Sequence, residues 1–313
     1  MEELNLLIEA QRAIDLNKNA KNYRVALPIE VGVDKANPKR GVSIIYEVAP
    51  GVQLNQLTKM LQVFNESPQK YFTEYDECIK QHPWLRNPEK WMHELPKAYL
   101  KAQNEQFLFI GPDQSRVSHA DPHTGNVFID FQNGRLMPTY IDTGLTVTRN
   151  TREVINHLGF CTDLILGNSR GIAKRVVENA HALPQGSTKE ALIDSLTEQF
   201  DKTLFRSGNN LNDFQNTIST LKSIIIEAGI IDSPTESLFL KAEVQSLMTY
   251  RELSKSVGQQ HSHLIKESIG DVCRGLLKAL VSKPSACLKN IYETMKHFLS
   301  DPYHAIRTAA QFV

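Results

Sequence analysis

Residues 117 to 130 read Val-Ser-His-Ala-Asp-Pro-His-Thr-Gly-Asn-Val-Phe-Ile-Asp, and residues 131 to 148 continue Phe-Gln-Asn-Gly-Arg-Leu-Met-Pro-Thr-Tyr-Ile-Asp-Thr-Gly-Leu-Thr-Val-Thr. Two short strand-like runs, 127 to 130 and 136 to 141, are joined by Gln132-Asn133-Gly134-Arg135. Asn-Gly between such runs is the strongest short-range signal for a β-hairpin. The stretch therefore predicts a hairpin that fixes the polar residues before and after it.

Asn126 and Asp142 stand at the two ends of this hairpin, so the pairing would bring them side by side. Amide and carboxylate oxygens are the hard ligands that Mg²⁺ prefers, and a nucleoside triphosphate reacts as its Mg²⁺ complex. Asp121 lies in the preceding loop, close enough to orient or deprotonate an acceptor hydroxyl. The set is typical of a kinase-like phosphoryl-transfer site, with Asp121 catalytic and Asn126 and Asp142 as metal ligands. We expect both ligands in a solvent-reachable cleft, where substitution changes stability little.

Four further residues are predicted to support this loop. Gly125 and Gly144 permit backbone angles that other residues resist, which suits tight loops close to phosphates. His119 and His123 are predicted to hold the loop by hydrogen bonding to a backbone carbonyl or a neighbouring carboxylate. Zinc is the alternative for the two histidines with Asp121, but the proline and glycine favour a loop, and no cysteine or further histidine lies nearby in sequence to complete a tetrahedral set.

The octapeptide His-Ala-Asp-Pro-His-Thr-Gly-Asn, residues 119 to 126, resembles the catalytic loop of the UbiB family of atypical kinase-like proteins, associated with ubiquinone (coenzyme Q) biosynthesis. The family's usual form is His-Ala-Asp-Pro-His-Pro-Gly-Asn, followed by Asp-Phe-Gly. Thr124 and Thr143 are the departures, and Thr143 replaces an aromatic ring that helps to position the metal aspartate. Aminoglycoside and choline kinases share a related loop, which leaves the wider kinase-like class as the broader interpretation and a plain polar turn as the simplest one.

The resemblance implies ATP and Mg²⁺ as cofactors, in ATP-dependent phosphoryl transfer or ATP hydrolysis linked to quinone or lipid metabolism. It implies a nucleotide as partner, and a quinone-pathway protein, a lipid or a peripheral membrane contact as further options. The rival hypothesis is a catalytically impaired, pseudokinase-like scaffold that binds a protein or lipid partner. The two hypotheses differ in whether Mg²⁺–ATP is used.

A helix is predicted over residues 2 to 17, where apolar residues recur at helical spacing. Glu2 and Asn5 match the family's Glu-x-x-Asn helix, which implies that Glu2 pairs with a nucleotide-binding lysine; an ordinary acidic first turn is the alternative. The family's Lys-x-Gly-Gln segment, alanine-rich loop and lysine strand would lie before residue 1. We expect an upstream start, a partner chain that supplies them, or a degenerate member of the family.

A β-prone run, residues 42 to 48, ends at Ala49-Pro50-Gly51 and predicts a strand followed by a break. By resemblance it is the hinge strand of a kinase, where backbone groups near Glu47 and Val48 would meet an adenine edge. A plain buried strand is the alternative. The spacing further predicts helices over 53 to 65 and 88 to 106. Trp84 and Trp91 are interpreted as core or lid residues, with a stacking platform as the alternative.

After Asp142 the sequence predicts a wholly helical chain with loops between packed helices. Asp163 lies on a mainly apolar helix, where it either faces the surface or bonds the catalytic loop. Residues 285 to 313 carry an apolar stripe, which is typical of a core helix, with a membrane-surface or partner-binding helix as the alternative. The predicted helices span 151–168, 169–181, 187–205, 212–229, 234–257 and 260–281.

Composition bounds the remaining possibilities. The chain has 313 residues, 41% of them hydrophobic, and equal totals of 35 basic and 35 acidic residues. With equal numbers of basic and acidic residues, the chain has no net charge that would attract nucleic acid or an anionic membrane. The four cysteines form no Cys-x-x-Cys pair, which disfavours a zinc site or disulfide framework. No apolar run approaches the ~20 residues of a membrane span and no targeting segment is visible, so we expect a cytoplasmic protein, with a membrane-peripheral location as the alternative.

Together these patterns predict an α+β fold, mainly α, with a protein-kinase-like C-lobe and a partial N-lobe. Residues 1–50 would form the N-lobe remnant and residues 51–281 the C-lobe, which contains the catalytic loop 117–148. Residues 282–313 would form a C-terminal helical extension. The architecture thus follows from the resemblance, while the helices and the hairpin follow from the residues themselves.

Overall fold

The computed structural model describes residues 6–18, 20–109, 115–205 and 214–258, with single positions between 271 and 308. Helices dominate and strands are fewer, so the predicted α+β, mainly α class is confirmed. Glu2 lies outside the described residues, as do most of the predicted helix 260–281 and the extension 282–313. None of the helices in the described part is long and apolar enough to span a bilayer.

Helices and strands alternate in the first half of the chain, and helices follow in the second. The helices are α1 (Leu6–Asn17), α2 (Leu54–Glu66), α3 (Pro68–Glu74), α4 (Asp76–Gln81), α5 (Pro88–Trp91), α6 (Leu95–Leu108), α7 (Thr151–Ile165), α8 (Ser169–Asn179), α9 (Lys189–Phe200), α10 (Phe214–Glu227) and α11 (Pro234–Ser256). The strands are β1 (Arg24–Val25), β2 (Pro28–Val33), β3 (Gly41–Tyr46), β4 (Val52–Gln53), β5 (Ser115–His119), β6 (Val127–Gln132), β7 (Arg135–Tyr140) and β8 (Thr146–Asn150).

Two compact units are distinguished by their internal contacts, and both are discontinuous in sequence. Unit 1 comprises Met1–Gln106, Val117–Val147 and Lys241–Gln260. Unit 2 comprises Phe107–Arg116, Thr148–Leu240 and His261–Val313. The predicted boundary at residue 50 falls inside unit 1, which also holds the whole predicted site.

The predicted hairpin is present in unit 1 as β6 and β7, paired from Val127↔Tyr140 to Gln132↔Arg135. Asn133 and Gly134 form its two-residue turn with φ angles of 51° and 78°. These left-handed values define the turn that Asn-Gly favours. The hairpin is the centre of a four-stranded sheet of order β1-β7-β6-β4, in which β1 runs parallel to β7.

Helix α2 packs its apolar stripe into the core of unit 1, as the spacing predicts. Leu54, Leu57, Met60 and Leu61 are buried. Helix α1 contacts the separate β2–β3 hairpin, where a Cβ on Gly41 would lie 2.5 Å from the Leu7 backbone nitrogen. A glycine is therefore needed for this close approach.

Two predictions of secondary structure are wrong. The single helix 88–106 is interrupted by a 3₁₀ turn, Met92–Glu94, before α6 begins at Leu95. Pro96 lacks an N–H donor and clashes with the preceding turn, so the helix restarts there instead of continuing. The chain after Asp142 is not wholly helical, because the β-branched run at Thr146 forms β8, which pairs with β5.

The helices of unit 2 begin and end close to their predicted positions. Helix α7 starts with a capping box, in which the Asn150 side chain accepts from the Glu153 N–H and the Glu153 carboxylate accepts from the Asn150 N–H. Asp163 on this helix is 1% exposed, so the surface position is wrong. Its carboxylate accepts hydrogen bonds from Arg175 Nε and Asn168 Nδ2, both at 2.7 Å.

Candidate functional site

The hairpin brings Asn126 and Asp142 to its open end. The Ile141 N–H donates to the Asn126 carbonyl at 3.0 Å, which extends the ladder by one step beyond Val127 and Tyr140. The Asn126 side-chain Nδ2 donates to the backbone carbonyl of Asp121 at 3.1 Å. The three predicted site residues are therefore assembled by one hairpin and the short loop before it.

His119 anchors the start of that loop. It is fully buried, its Nδ1 accepts from the Asp121 N–H at 3.1 Å, and its Nε2 lies 2.9 Å from the Ile141 carbonyl. An accepting Nδ1 requires the proton on Nε2, which donates to that carbonyl. Burial lowers the pKa of His119 below its ordinary value, so the ring is neutral. Both nitrogens are occupied, which leaves neither for a zinc ion.

Three further hydrogen bonds fix the middle of the loop. The Tyr99 hydroxyl donates to the Pro122 carbonyl at 3.0 Å. Gln53 Nε2 donates to the Gly125 carbonyl at 2.6 Å, and the Gly125 N–H donates to His123 Nδ1 at 3.0 Å. Backbone groups that have no strand partner are thus satisfied by side chains, which holds the loop in one conformation.

The glycines act differently from the prediction. Within the described residues, neither Gly125 nor Gly144 has a positive φ, so neither is needed for a special backbone angle. A Cβ on Gly125 would lie 2.8 Å from His123 Cε1, so this glycine is needed for the close approach of the imidazole. Asp142 itself has φ 54°, a left-handed value that costs a non-glycine residue ~1 kcal/mol or more and is typical of functional positions.

Asp121 is partly paired. Its side chain is 32% exposed, and Lys241 Nζ on α11 donates to its Oδ1 at 3.3 Å, while His123 Nε2 lies 3.9 Å from Oδ2. Burial raises the pKa of the carboxyl, but the hydrogen bond and charge of Lys241 and a hydrogen bond from Gln245 outweigh it, and the pKa lies below its ordinary value. The carboxylate is therefore ionised at neutral pH and can accept a hydrogen bond.

A second acidic group approaches Asp142 from α1. Glu9 Oε2 and Asp142 Oδ1 lie 3.5 Å and 3.4 Å from the position of a Cβ on Gly144, which places the two carboxylates beside the same backbone turn. The Tyr46 hydroxyl donates to Glu9 Oε1 at 2.6 Å. Burial raises the pKa of Tyr46 above its ordinary value, with added contributions from Glu9 and Asp142. Two carboxylates, Glu9 and Asp142, thus lie beside this turn, and the neutral Tyr46 hydroxyl holds the first of them.

Thr143, which stands where the resembled motif has phenylalanine, makes a polar contact to α1. This side chain is fully buried, and its hydroxyl donates to the Glu9 carbonyl at 3.3 Å, where the family pattern has an aromatic ring. Arg12 donates to the Gly144 carbonyl at 2.5 Å. Helix α1 therefore holds the turn after Asp142 by polar contacts.

Sequence reasoning missed Glu9, Tyr46 and Lys241. Glu9 stands seven residues after Glu2, on nearly the same face of a helix two turns later, so the helix pattern contained a signal for it. Tyr46 lies within the predicted strand 42–48, without a local signal for the site. Lys241 is separated from Asp121 by 120 residues, and no local pattern links them.

The predicted adenine contact lies at the end of β3. The Glu47 N–H donates to the Leu27 carbonyl at 2.9 Å, and the Glu47 carboxylate accepts from the Leu27 N–H at 3.1 Å. This amide is therefore already engaged within unit 1. The Val48 side chain is 92% exposed and contributes to no core.

The amide of Asn126 and the carboxylates of Asp142 and Glu9 are the oxygen groups near the hairpin end. Asn126 is turned by the bond from its Nδ2 to Asp121, so its Oδ1 is the opposite end of a fixed amide. Asp142 is exposed and Glu9 lies beside the same turn, which provides hard anionic donors. Asn126 is buried, which corrects the expectation that both predicted ligands are solvent-reachable.

Comparisons with protein-family models, curated proteins and solved structures found no match to the chain. The resemblance of residues 119 to 126 to the UbiB catalytic loop therefore stands on the motif alone. The interpretation of the site depends on the geometry of the loop, the hairpin and α1.

Proposed function

We propose that this chain is a UbiB-like atypical kinase or ATPase that transfers the γ-phosphoryl group of ATP to an acceptor hydroxyl or to water, in quinone or lipid metabolism. The assembly of Asp121, Asn126 and Asp142 at the end of one hairpin is the observation that supports it. In phosphoryl transfer a protein mainly positions groups and stabilises charge, which is what such a fixed constellation can do.

Each residue has a distinct role in this proposal. Asp121 orients the acceptor hydroxyl, and its ionised carboxylate, with Lys241 at 3.3 Å, is able to accept the proton. Asn126 and Asp142 would hold Mg²⁺, which when bound would neutralise charge on the phosphate oxygens. Glu9 holds its carboxylate beside Asp142 through Tyr46 and is a further candidate ligand.

Metal binding can be tested with Mn²⁺ in place of Mg²⁺, since Mn²⁺ accepts the same oxygen ligands and broadens nearby amide signals in NMR spectra. We expect broadening at residues 125–127 and 141–144 in the wild type, and its loss in Asp142→Asn. Asp130→Asn removes one carboxylate from β6 of the same hairpin and serves as the matched control. Equal broadening in wild type and Asp142→Asn would refute the assignment of the metal site.

ATP binding can be measured by calorimetry with and without Mg²⁺. No Gly-x-Gly-x-x-Gly loop occurs in the 313 residues, so we expect a Kd of about 1 mM that depends on Mg²⁺. Slow ATP hydrolysis should be lost in Asp121→Asn and retained in Asp130→Asn. Absence of any Mg²⁺-dependent binding or hydrolysis in the wild type would refute the proposal, and a submicromolar Kd would refute the expected weakness.

The scaffold hypothesis is the second candidate, and one observation favours it. The Glu47 N–H donates to the Leu27 carbonyl and the Glu47 carboxylate accepts from the Leu27 N–H, so one of the backbone donors expected for an adenine is occupied. Such a chain would keep the fold and bind a protein or lipid partner without using ATP. The calorimetric experiment separates the two hypotheses.

A further inference from the structure

Unit 2 contains a cavity of about 210 Å³ that no part of the proposed function uses. Helices α7, α8 and α10, the connection from α10 to α11 and the first turns of α11 provide its walls. At ~30 Å³ per water molecule, the space equals about seven waters, which is room for a small organic molecule. All of its lining residues belong to residues 148–240 of unit 2.

One side of the cavity is apolar, and Ile218, Leu221 and Ile225 in it are buried on α10. His157 and Phe160 of α7 lie with their rings nearly parallel, at a centroid distance of 6.4 Å and an interplanar angle of 20°. Aliphatic and aromatic walls favour an apolar ligand body, and an aromatic face attracts a cation. The apolar lining residues are Phe160, Val176, Ile218, Leu221, Ile225 and Leu240.

The charged side of the cavity is predominantly acidic. Glu153, Asp232 and Glu236 provide three carboxylates, while Arg175 and Lys222 provide two cations. Arg175 is already paired with the buried carboxylate of Asp163 at 2.7 Å, so its charge is largely compensated. The remaining charges leave an excess of negative charge, which favours a cationic ligand.

Asp232 is the carboxylate that lacks a partner. It is half-buried, and no hydrogen bond or ion pair to its side chain is present within the described residues. Burial raises its pKa above the ordinary value, and Lys222 lowers it only in part. A carboxylate that is partly removed from water without a hydrogen-bond donor is stabilised by a ligand that supplies one.

We infer that this cavity binds a small amphipathic amine, with its ammonium group at Asp232 and its apolar body against Phe160 and the α10 side chains. An alkyl or aryl amine of about ten non-hydrogen atoms matches the volume. The charge balance disfavours a carboxylate of the same size. This binding site is separate from the Asp121 site and does not depend on the proposed function.

Three probes of one shape test the charge preference: 2-phenylethylamine, 2-phenylethanol and 3-phenylpropionate. Each is titrated into the full chain while amide shifts are followed by NMR. We expect the amine to bind with a Kd of about 1 mM, roughly 10-fold tighter than the alcohol, and the carboxylate to bind most weakly. Shifts should concentrate at residues 153–160, 218–225 and 232–240.

Substitutions then test the residues. Asp232→Asn should abolish the roughly 10-fold preference for the amine, whereas Glu198→Gln, an exposed acid on α9 outside the cavity, should leave it unchanged. Lys222→Met removes a competing cation and should tighten amine binding several-fold. Leu221→Trp should fill the space and block all three probes.

Several results would overturn the inference. Equal affinity for the amine and the carboxylate, no binding by the wild type, or a preference that survives Asp232→Asn would each contradict it. If Leu221→Trp does not fold, the shift map of the wild type and the Asp232→Asn titration still decide the location and the charge preference.

Discussion

Asp121 and Asp163 are two aspartates, each beside a cation, with opposite surroundings. Asp121 in unit 1 is 32% exposed and has Lys241 at 3.3 Å. Asp163 in unit 2 is 1% exposed, with Arg175 at 2.7 Å and Asn168 at 2.7 Å. Both oxygens of Asp163 are engaged, whereas the exposed carboxylate of Asp121 can accept a further group. The first aspartate is thus suited to chemistry and the second to stability.

Glycines differ in the same way between the buried pair in unit 2 and the exposed loop in unit 1. A Cβ on Gly171 would lie 2.7 Å from Asp163 Oδ2, and a Cβ on Gly159 would lie within 2.4 Å of guanidinium atoms of Arg175, so both helical glycines leave space for the buried pair. Gly125 leaves space for His123 in the exposed loop, where the imidazole can move outward. The cost of filling the space therefore depends on whether the neighbour can move.

The largest effect is expected at the buried pair. Asp163→Ala leaves Arg175 without its carboxylate, and we expect a loss of about 3–5 kcal/mol in the free energy of unfolding, because an uncompensated buried charge is costly. Urea denaturation of wild type and variant measures it. A loss below about 1 kcal/mol would show that Asp163 is as replaceable as a surface acid.

An exposed ion pair on the same unit is the control. Arg170 is paired with Asp194 at 2.5 Å, and its side chain is 54% exposed. Arg170→Ala should cost less than about 1 kcal/mol, since exposed pairs contribute little. Similar losses for Arg170→Ala and Asp163→Ala would contradict the contrast between buried and exposed pairs.

The second effect is the contribution of His119 to the pH dependence of the free energy of unfolding. Burial lowers the pKa of His119 in the folded state, so below the ordinary value of about 6.5 the unfolded chain binds a proton that the native chain does not. Stability from this group is fully present above pH 6.5 and falls by up to ~1.4 kcal/mol per pH unit as the pH drops towards the lower folded pKa.

This dependence can be isolated with His119→Gln. We expect the variant to be less stable at pH 7.5, but its stability should fall less steeply than that of the wild type between pH 6.5 and 5.5. NMR of the native wild type should show a His119 ring that takes up its proton at a lower pH than the ordinary pKa of about 6.5. A His119 ring that titrates near pH 6.5 would contradict the burial argument.

A third, smaller effect is expected at the loop glycines. Gly125→Ala displaces the His123 imidazole and removes its hydrogen bond with the Gly125 N–H, at a cost of about 1 kcal/mol. Gly144→Ala is the matched control, because its Cβ would make only ordinary contacts at 3.4 Å and 3.5 Å. Its effect should stay within about 0.5 kcal/mol. Equal losses in thermal or urea unfolding would refute this difference between the glycines.

The smallest effect on stability is expected for Lys241→Met. In the pair with Asp121 the lysine is exposed and the aspartate is partly exposed, so the loss should be below about 1 kcal/mol. The pKa of Asp121, measured by carboxyl carbon NMR, should rise because its cation is removed while burial remains. In the wild type this group stabilises above its unfolded pKa of about 3.9 and loses that contribution as pH falls through the lower folded pKa.

Lys59 is an exposed lysine on α2, and Lys59→Met is the control for the removal of one positive charge. It should leave the pKa of Asp121 unchanged. An unchanged Asp121 pKa in Lys241→Met would show that the lysine does not act on the carboxylate. The comparison of Asp121 and Asp163 as two charge-paired aspartates would then be wrong.

The sequence by itself determined the features that arise between near neighbours. Asn133-Gly134 specifies the hairpin, because its two left-handed angles close the turn without tertiary support. The apolar spacing of α2 and the cap at Asn150 similarly define helices that the structure contains. The hairpin also brings Asn126 opposite Ile141, which places Asp142 one residue beyond the paired strands.

The tertiary structure alone decided which distant groups complete each site. Lys241 reaches Asp121 across 120 residues of sequence, and Thr143 bonds the Glu9 carbonyl across 134. The burial of Asp163 required Arg175 and two glycines from neighbouring turns. Such contacts depend on how helices and strands pack, and packing selects partners by shape and charge instead of by distance along the chain.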